Sequence, residues 1–215
     1  MESKSFVVSL NDNPMISMRV IPGHFATNRF HASHYLDVSD MKTNALSARE
    51  AARELAMPYL STTLVDTIVC MEGCEVIGAY MAEELSEEGM AEINSGGEIH
   101  VVRPIYSVDN KLIFQSNMRR FISGKNIILL VPCVSLGSTI KSAMECFDYY
   151  GGELVGISAL FNAYEETVEQ EIFSMFTSDD IPGDYKIYPP GNCPMCGEGK
   201  KLDAIITSEG YTVIN

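Results

Sequence analysis

Residues 127–131 (Ile127, Ile128, Leu129, Leu130, Val131) form an unbroken apolar run, the pattern of a strand buried on both faces. The polar loop Ser135-Leu136-Gly137-Ser138-Thr139 follows. Ile140, Ala143, Met144 and Phe147 then recur at helical spacing and predict a helix with one apolar face. Gly151-Gly152 stops that helix, and residues 154–160 make a second apolar run. The order is therefore strand, glycine-bearing loop, helix, turn, strand. Upstream, residues 67–71 read as a buried strand, 72–75 as a turn, 76–85 as a helix with Ile77, Tyr80, Met81 and Leu85 inward, and 99–102 as a strand.

The flanks are less regular. Two short apolar runs, 6–10 and 15–21, are separated by the turn signal Asn11-Asp12-Asn13-Pro14, and a strand is expected near 35–38. Ser47 and Glu50 fit a capping box opening a helix that carries Ala51, Ala52, Leu55, Ala56 and Tyr59 on one face. Asp109-Asn110 reads as a hairpin tip. The spacing of Val168, Ile172, Met175 and Phe176 predicts a helix over 165–176, and residues 204–213 read as a hairpin turning at Ser208-Glu209-Gly210. Strand and helix alternate from 47 to 160, which predicts an α/β domain with a mainly parallel sheet flanked by helices. Ligands of such sheets sit at the strands' C-terminal ends, so the loops 72–75 and 135–139 are the candidate binding loops. A loop at a helix N-terminus presents backbone N–H groups and the positive end of the helix dipole, which suits a phosphate. The alternative is an ordinary crossover whose loop binds nothing.

Composition narrows the function classes. The chain has 215 residues, 46% hydrophobic and 20% charged, with net charge -14, consistent with a single globular domain. That charge excludes general nucleic-acid binding, which needs a basic face. No apolar run is long enough for a bilayer, and the N-terminal residues lack the features of a secretory signal, so a cytoplasmic protein without membrane contact is expected. The six cysteines are expected to be reduced. Cys193-Pro194-Met195-Cys196 is a tight turn, half of a zinc site completed by a histidine or across a dimer, or a redox pair; no metal is assigned to it. His24, His31 and His34 lie close in sequence, with His31 and His34 spaced for one face of a turn and Asp37 nearby, and surface or dimer-contact roles are expected. Glu83, Glu84, Glu87 and Glu88, like Glu165, Glu166, Glu169 and Glu171, read as solvated faces.

The order of these parts resembles the type I phosphoribosyltransferases, and among them the orotate phosphoribosyltransferases. Gly23-His24-Phe25 through Tyr35-Leu36-Asp37 is similar to the family's N-terminal hood. Met71-Glu72-Gly73-Cys74-Glu75-Val76-Ile77-Gly78 resembles its pyrophosphate loop and following helix. The stretch 127–139 resembles its phosphoribosyl-pyrophosphate motif, and Tyr188-Pro189-Pro190 with Cys193-x-x-Cys196 resembles the tail of some orotate enzymes. The resemblance implies a phosphoribosyltransferase-like domain over 1–215, with hood segments at about 1–45 and 177–215 and a core at about 46–176. It further implies a homodimer, phosphoribosyl pyrophosphate or a nucleotide as ligand, and Mg²⁺ held through the pyrophosphate. By the same correspondence the 5′-phosphate falls on Ser135, Leu136, Gly137, Ser138 and Thr139, and the pyrophosphate on Glu72, Gly73, Cys74 and Glu75. Arg103 and Lys111 become the catalytic cations, and Arg29 the partner of a base carboxylate.

The departures from the family pattern concern chemistry. Its acidic pair falls on Val131 and Pro132, or on Pro132 and Cys133 if the strand slides by one, and neither choice supplies a carboxylate. In the family those carboxylates hold the ribose hydroxyls and favour the developing oxocarbenium charge. Each lost charge-assisted hydrogen bond is worth roughly 1.5–3 kcal/mol, and each lost electrostatic stabiliser about 10²–10³ in rate. Leu136 replaces a hydroxyl residue, and the segment 103–111 offers Arg103 and Lys111 but no histidine. Two readings follow: transfer of phosphoribose to orotate or a related base in pyrimidine nucleotide synthesis, or a catalytically impaired regulator or sensor that binds a phosphoribosyl group or nucleotide on the same fold.

Overall fold

The computed structural model describes residues 2–87, 93–109, 111–164, 170–208 and 210–214. They fall into two units, Met1–Asp40 with Phe176–Asn215, and Met41–Met175. In chain order the strands are β1 (Phe6–Ser9), β2 (Ser17–Ala26), β3 (His31–Asp37), β4 (Thr67–Cys70), β5 (His100–Val102), β6 (Ile105–Tyr106), β7 (Leu112–Ile113), β8 (Asn126–Val134), β9 (Glu153–Asn162), β10 (Ile172–Thr177), β11 (Ile187–Tyr188), β12 (Ala204–Thr207) and β13 (Gly210–Val213). The helices are α1 (Ser39–Thr43), α2 (Ala45–Ala56), α3 (Glu75–Ser86), α4 (Ser138–Tyr150) and α5 (Pro194–Gly197). Among the described residues no helix is long and apolar enough to cross a membrane.

The second unit holds the sheet β10-β9-β8-β4-β5. The pairs β4–β5, β4–β8 and β8–β9 are parallel. β8 lies at its centre, and Ile127 to Val131 are at most 1% exposed, which is why that run is continuous rather than alternating. On one face α4 contributes Ile140, Ala143, Cys146 and Phe147 to a core with Val69, Leu129, Val131, Ile157 and Ala159. The other face carries α3 and, packed on it, α2. There α3 approaches so closely that a Cβ on Gly78 would collide with the Cys70 sulfur. β6 and β7 form the expected hairpin around 109–110, with Asn110 outside the described residues.

Two local expectations are corrected. α2 begins before Ser47: Asn44 is its N-cap, accepting from the N–H groups of Leu46 (3.0 Å) and Ser47 (3.5 Å). Asn and Ser cap about equally well, and here Ser47 is buried within the helix. The helix expected over 165–176 is replaced, for 172–177, by β10 beside β9. Ile172, Phe173, Phe176 and Thr177 in it are β-branched or aromatic, and Phe173 sets its ring edge-on to Tyr59, centroids 5.4 Å apart. Residues 165–169 lie outside the described residues.

The first unit is a six-stranded sheet in the order β11-β3-β2-β12-β13, with β1 on β2. β12 pairs with β2 in parallel, Ala204 opposite Phe25, and the expected terminal hairpin β12–β13 forms with Gly210 already in β13, Glu209 of the expected turn lying outside the described residues. Ile21, Phe25, Ala32 and Ala204 make its core, with Tyr35 and Tyr211 packed against them.

At the lower edge of the parallel sheet, Asp66 ties three strand starts together. Its carboxylate accepts from the Asn126 N–H (2.9 Å), the Asn126 side-chain amide (2.9 Å) and Lys125 (3.2 Å), while its carbonyl accepts from the His100 N–H (2.9 Å). Burial alone would raise the Asp66 pKa, but these donors outweigh it and hold the carboxyl below its usual range. The folded pKa is thus depressed, so this stabilisation is fully present above the unfolded value of about 3.9 and is lost as pH falls through the folded one. Denaturant titrations between neutral and acid pH are expected to show stability falling in that window. Asp66→Asn is expected to flatten that slope and to cost about 2 kcal/mol at neutral pH; an unchanged slope would exclude Asp66 as a source of acid sensitivity.

Candidate functional site

Because β4 and β8 run side by side in parallel, Cys70 opposite Leu130, their following loops emerge together at one edge of the sheet. The first spans residues 71–74. The Met71 N–H donates to the Leu130 carbonyl (2.9 Å) and the Cys74 N–H back to Met71 (3.1 Å). Between them Glu72 (φ +48) and Gly73 (φ +83) are consecutive left-handed residues. Left-handed backbone at a non-glycine residue costs about 1–3 kcal/mol and tends to mark functional loops. Lys42 holds this one in place, its ammonium donating to the Glu72 carbonyl at 3.1 Å. α3 then starts with no side chain capping its N–H groups.

The second loop, 135–137, turns through Gly137 (φ +67, ψ 0) into α4, again with no side-chain cap. A Cβ at Gly137 would lie 2.7 Å from the ring of Tyr164, so the aromatic ring fixes the loop's path. Ser135, Ser138 and Thr139 are half-buried around the helix start and Leu136 is 42% exposed. Two helix N-termini left open by their own side chains thus lie at neighbouring strand ends, an arrangement of the kind that suits anions.

Glu72 and Lys42 act with opposite sign on the buried thiols beside the loops. Burial pushes the Cys133 thiol up to about 12, with Glu72 adding to the rise and Lys42 opposing it. Burial likewise raises Cys74, whose surroundings include Cys70, Lys42, Cys133 and Glu72. These cysteines are therefore neutral and inert at physiological pH. Lys42 was not among the residues singled out from sequence: it sits alone in α1, thirty residues from its partner, and no motif announces it.

The other predicted residues have these places. Arg103 reaches the 72–75 loop, its guanidinium 3.2 Å from the Glu75 carboxylate at the start of α3. Lys111 lines a cavity of about 490 Å³ beside α4, with Phe114, Arg119, Glu145 and Tyr149. Arg29 is exposed in the β2–β3 turn, its N–H on the Thr27 hydroxyl at 3.1 Å. At the acidic-pair positions Val131 is 1% exposed within the α4-side core and Pro132 is buried, whereas Cys133 is partly exposed. For Mg²⁺, which takes oxygen ligands and rides on substrate phosphates, the carboxylates of Glu72 and Glu75 are donors of the fitting kind.

In the first unit the structure gathers His24, His31, Cys193 and Cys196 into a group of potential metal ligands. The surface role expected for these histidines is corrected for two of them, His24 being 0% and His34 6% exposed, and His31 and His34 do not share the face of a turn. Both lie on β3, where positions three apart face opposite sides, and His34 meets Ser33 (2.8 Å) and the ring of Tyr185 instead.

No family model matches the chain. Among curated proteins it is similar to the orotate phosphoribosyltransferase of Sulfurimonas denitrificans, 23% identical over 202 residues that cover 85% of this chain and 90% of that one. Among solved structures it resembles the adenine phosphoribosyltransferase of Trypanosoma brucei in complex with AMP, pyrophosphate and ribose-5-phosphate, with TM-score 0.54, 12% identity, and 88% and 92% of the two chains covered. It also resembles the orotate phosphoribosyltransferase of Mycobacterium tuberculosis, with TM-score 0.53, 14% identity, and 75% and 90% covered. The central parallel sheet, the two loops at its edge and these likenesses agree: the chain has the type I phosphoribosyltransferase fold.

Proposed function

We propose that the protein binds phosphoribosyl pyrophosphate and transfers its phosphoribosyl group to a nucleobase, with orotate as the first acceptor to test. The observation that carries this reading is the pair of open helix starts at adjacent strand ends, residues 72–75 and 135–139. The 5′-phosphate would lie on the N–H groups at Ser138 and Thr139, with the Ser135, Ser138 and Thr139 hydroxyls beside it. The pyrophosphate would lie at the left-handed turn of Glu72 and Gly73, with Lys42 and Arg103 as its cations. When bound, Mg²⁺ would neutralise pyrophosphate charge. The length over which the chain matches the curated orotate enzyme supports orotate, and the likeness to an adenine enzyme makes adenine the competing acceptor.

A second reading, ligand binding without transfer, is favoured by one feature. Val131 and Pro132 leave no carboxylate at the strand end where ribose hydroxyls would lie. The test is pyrophosphate release from phosphoribosyl pyrophosphate with Mg²⁺ and either orotate or adenine, run beside calorimetric titration of the same ligands. Binding with release supports transfer, and the acceptor that reacts identifies the base. Binding without release sinks transfer and leaves the binding protein; no binding sinks both. Arg103→Ala removes a charge-assisted contact worth roughly 1.5–3 kcal/mol, so phosphoribosyl pyrophosphate should bind about 10- to 100-fold more weakly while a nucleoside monophosphate, lacking pyrophosphate, binds unchanged.

A further inference from the structure

The group His24, His31, Cys193 and Cys196 belongs to the first unit and serves no role in the proposed reaction. His24 lies on β2 at a bulge: the pairing with β3 shifts between Pro22 and Phe25, so an extra residue re-aims the strand. Gly23 makes that bulge possible, because a Cβ there would meet the Phe25 ring at 2.7 Å and the Asp203 carboxylate at 2.9 Å. His31 opens β3 directly opposite Ala26. Cys193 and Cys196 flank the first turn of α5, closed by the Gly197 N–H on the Cys193 carbonyl (3.1 Å) and the Gly199 N–H on the Cys196 carbonyl (3.0 Å).

The imidazole of His24 is completely buried. Its Nδ1 lies 2.9 Å from the Lys200 carbonyl, which can only accept, so Nδ1 carries the hydrogen and Nε2 presents its lone pair. That lone pair faces His31 Nδ1 at 3.1 Å, Cys193 Sγ at 3.4 Å and Cys196 Sγ at 3.6 Å, and Cys196 Sγ lies 3.4 Å from His31 Nδ1. All four ligand atoms fall within 4.8 Å of one another. A tetrahedral zinc with Zn–N of about 2.0–2.1 Å and Zn–S of about 2.3 Å places its nitrogens about 3.3 Å apart and nitrogen and sulfur about 3.55 Å apart. The observed separations match those edges to within a few tenths of an ångström. The surroundings also suit a ligated histidine, whose second nitrogen normally donates to a carbonyl or carboxylate: Lys200 supplies that carbonyl, and the Asp203 carboxylate accepts the His24 backbone N–H at 2.7 Å.

We propose that these four residues bind one Zn²⁺ in a closed, structural Cys₂His₂ site. With all four positions filled by protein, the ion has no open coordination for substrate. Its role is to pin the β2–β3 hairpin to the 193–203 segment, joining residues 172 apart in the chain. This inference does not rest on the phosphoribosyl reading.

The test is metal analysis of full-length protein purified without added metal or chelator. About one zinc per chain is expected. Replacing it with cobalt should give the visible bands of tetrahedral thiolate-bound Co²⁺, and both thiols should resist alkylation until a chelator is added. Cys196→Ser should weaken zinc by more than the about 10–100-fold typical of disturbing an outer-shell partner, whereas His34→Ala should retain it. Should Cys196→Ser fail to fold, stoichiometry, cobalt spectrum and thiol protection of the unaltered protein still decide. Protein that folds without metal, lacks the cobalt bands and alkylates freely at Cys193 and Cys196 overturns the site, as does a native disulfide between them.

Discussion

Val131→Asp is expected to abolish folding at neutral pH, while Cys133→Asp is expected to fold. Both substitutions put a carboxylate back where related sequences carry an acidic pair, but the two positions differ physically. Val131 is 1% exposed in the central strand, in a core with Val69, Leu129, Ile140 and Ala159. A carboxyl there must be held neutral by a pKa rise of about 3–5 units, at roughly 1.4 kcal/mol per unit, besides the lost burial of the valine at about 1.5–3 kcal/mol. The sum is on the order of a small domain's whole stability of about 5–15 kcal/mol. Cys133 stands two residues further on and is partly exposed; burial and Glu72 disfavour an anion there and Lys42 offsets them only in part, so an Asp at this position should cost about 3–4 kcal/mol, less than at Val131 because no packed valine is lost and within what a small domain tolerates. Soluble yield and denaturant midpoints of the two variants check this directly. A native-like Val131→Asp protein would mean that the strand end is not packed as described. If Cys133→Asp folds and also tightens phosphoribosyl pyrophosphate, the family's acidic pair aligns with Pro132 and Cys133 rather than with Val131 and Pro132.

The second large effect concerns Gly137. Alanine at a left-handed position costs about 1–2 kcal/mol, and here its methyl group would also press into the Tyr164 ring at 2.7 Å. Overpacking of that kind adds typically about 1–3 kcal/mol. Gly137→Ala is therefore expected to lose about 2–5 kcal/mol in denaturant titrations. Phosphoribosyl pyrophosphate should bind at least about 10-fold more weakly, because the N–H groups that open α4 would be displaced. The two causes separate in a double-mutant cycle with Tyr164→Ala. Removing the ring should recover the collision and leave the backbone strain, so the double variant should be more stable than the sum of the single losses. Strict additivity would show that Tyr164 does not shape the loop.

Some of this was legible in the sequence and some was not, for identifiable reasons. The β8-loop-α4-β9 stretch could be read because a strand covered on both faces has to be apolar throughout, and Gly151, which caps α4 with φ +75, marks its end chemically. The start of α2 was misplaced by three residues because Asn44 and Ser47 are equally good caps, and only the fold decides which accepts the N–H groups. β10 was misread as helix because Ile172, Met175 and Phe176 satisfy a helical spacing, while the neighbouring strand that fixes them as sheet lies elsewhere in the sequence. Of the candidate site, the two loops were legible as glycine-bearing connections after apolar strands; Lys42 was not, since a lone lysine carries no pattern. The Cys₂His₂ group escaped notice as a set because it is assembled from β2, β3 and α5, and the bulge at Gly23 that turns His24 toward the others shows only in the strand register.

The composition of the first unit from both ends of the chain bears on how the protein acquires its structure. Its segments Met1–Asp40 and Phe176–Asn215 are separated by the entire second unit, so β2 cannot pair with β12 until that intervening length has been spanned. Closing so long a flexible loop costs on the order of 4 kcal/mol of chain entropy. Residues 41–175, by contrast, are continuous and pair neighbouring βα segments. If they collapse first, the long loop becomes a folded body of fixed dimensions, and most of that entropy has already been surrendered before β2 meets β12. The discontinuous sheet is then the late-forming part of the molecule, and its assembly depends on the continuous one having formed.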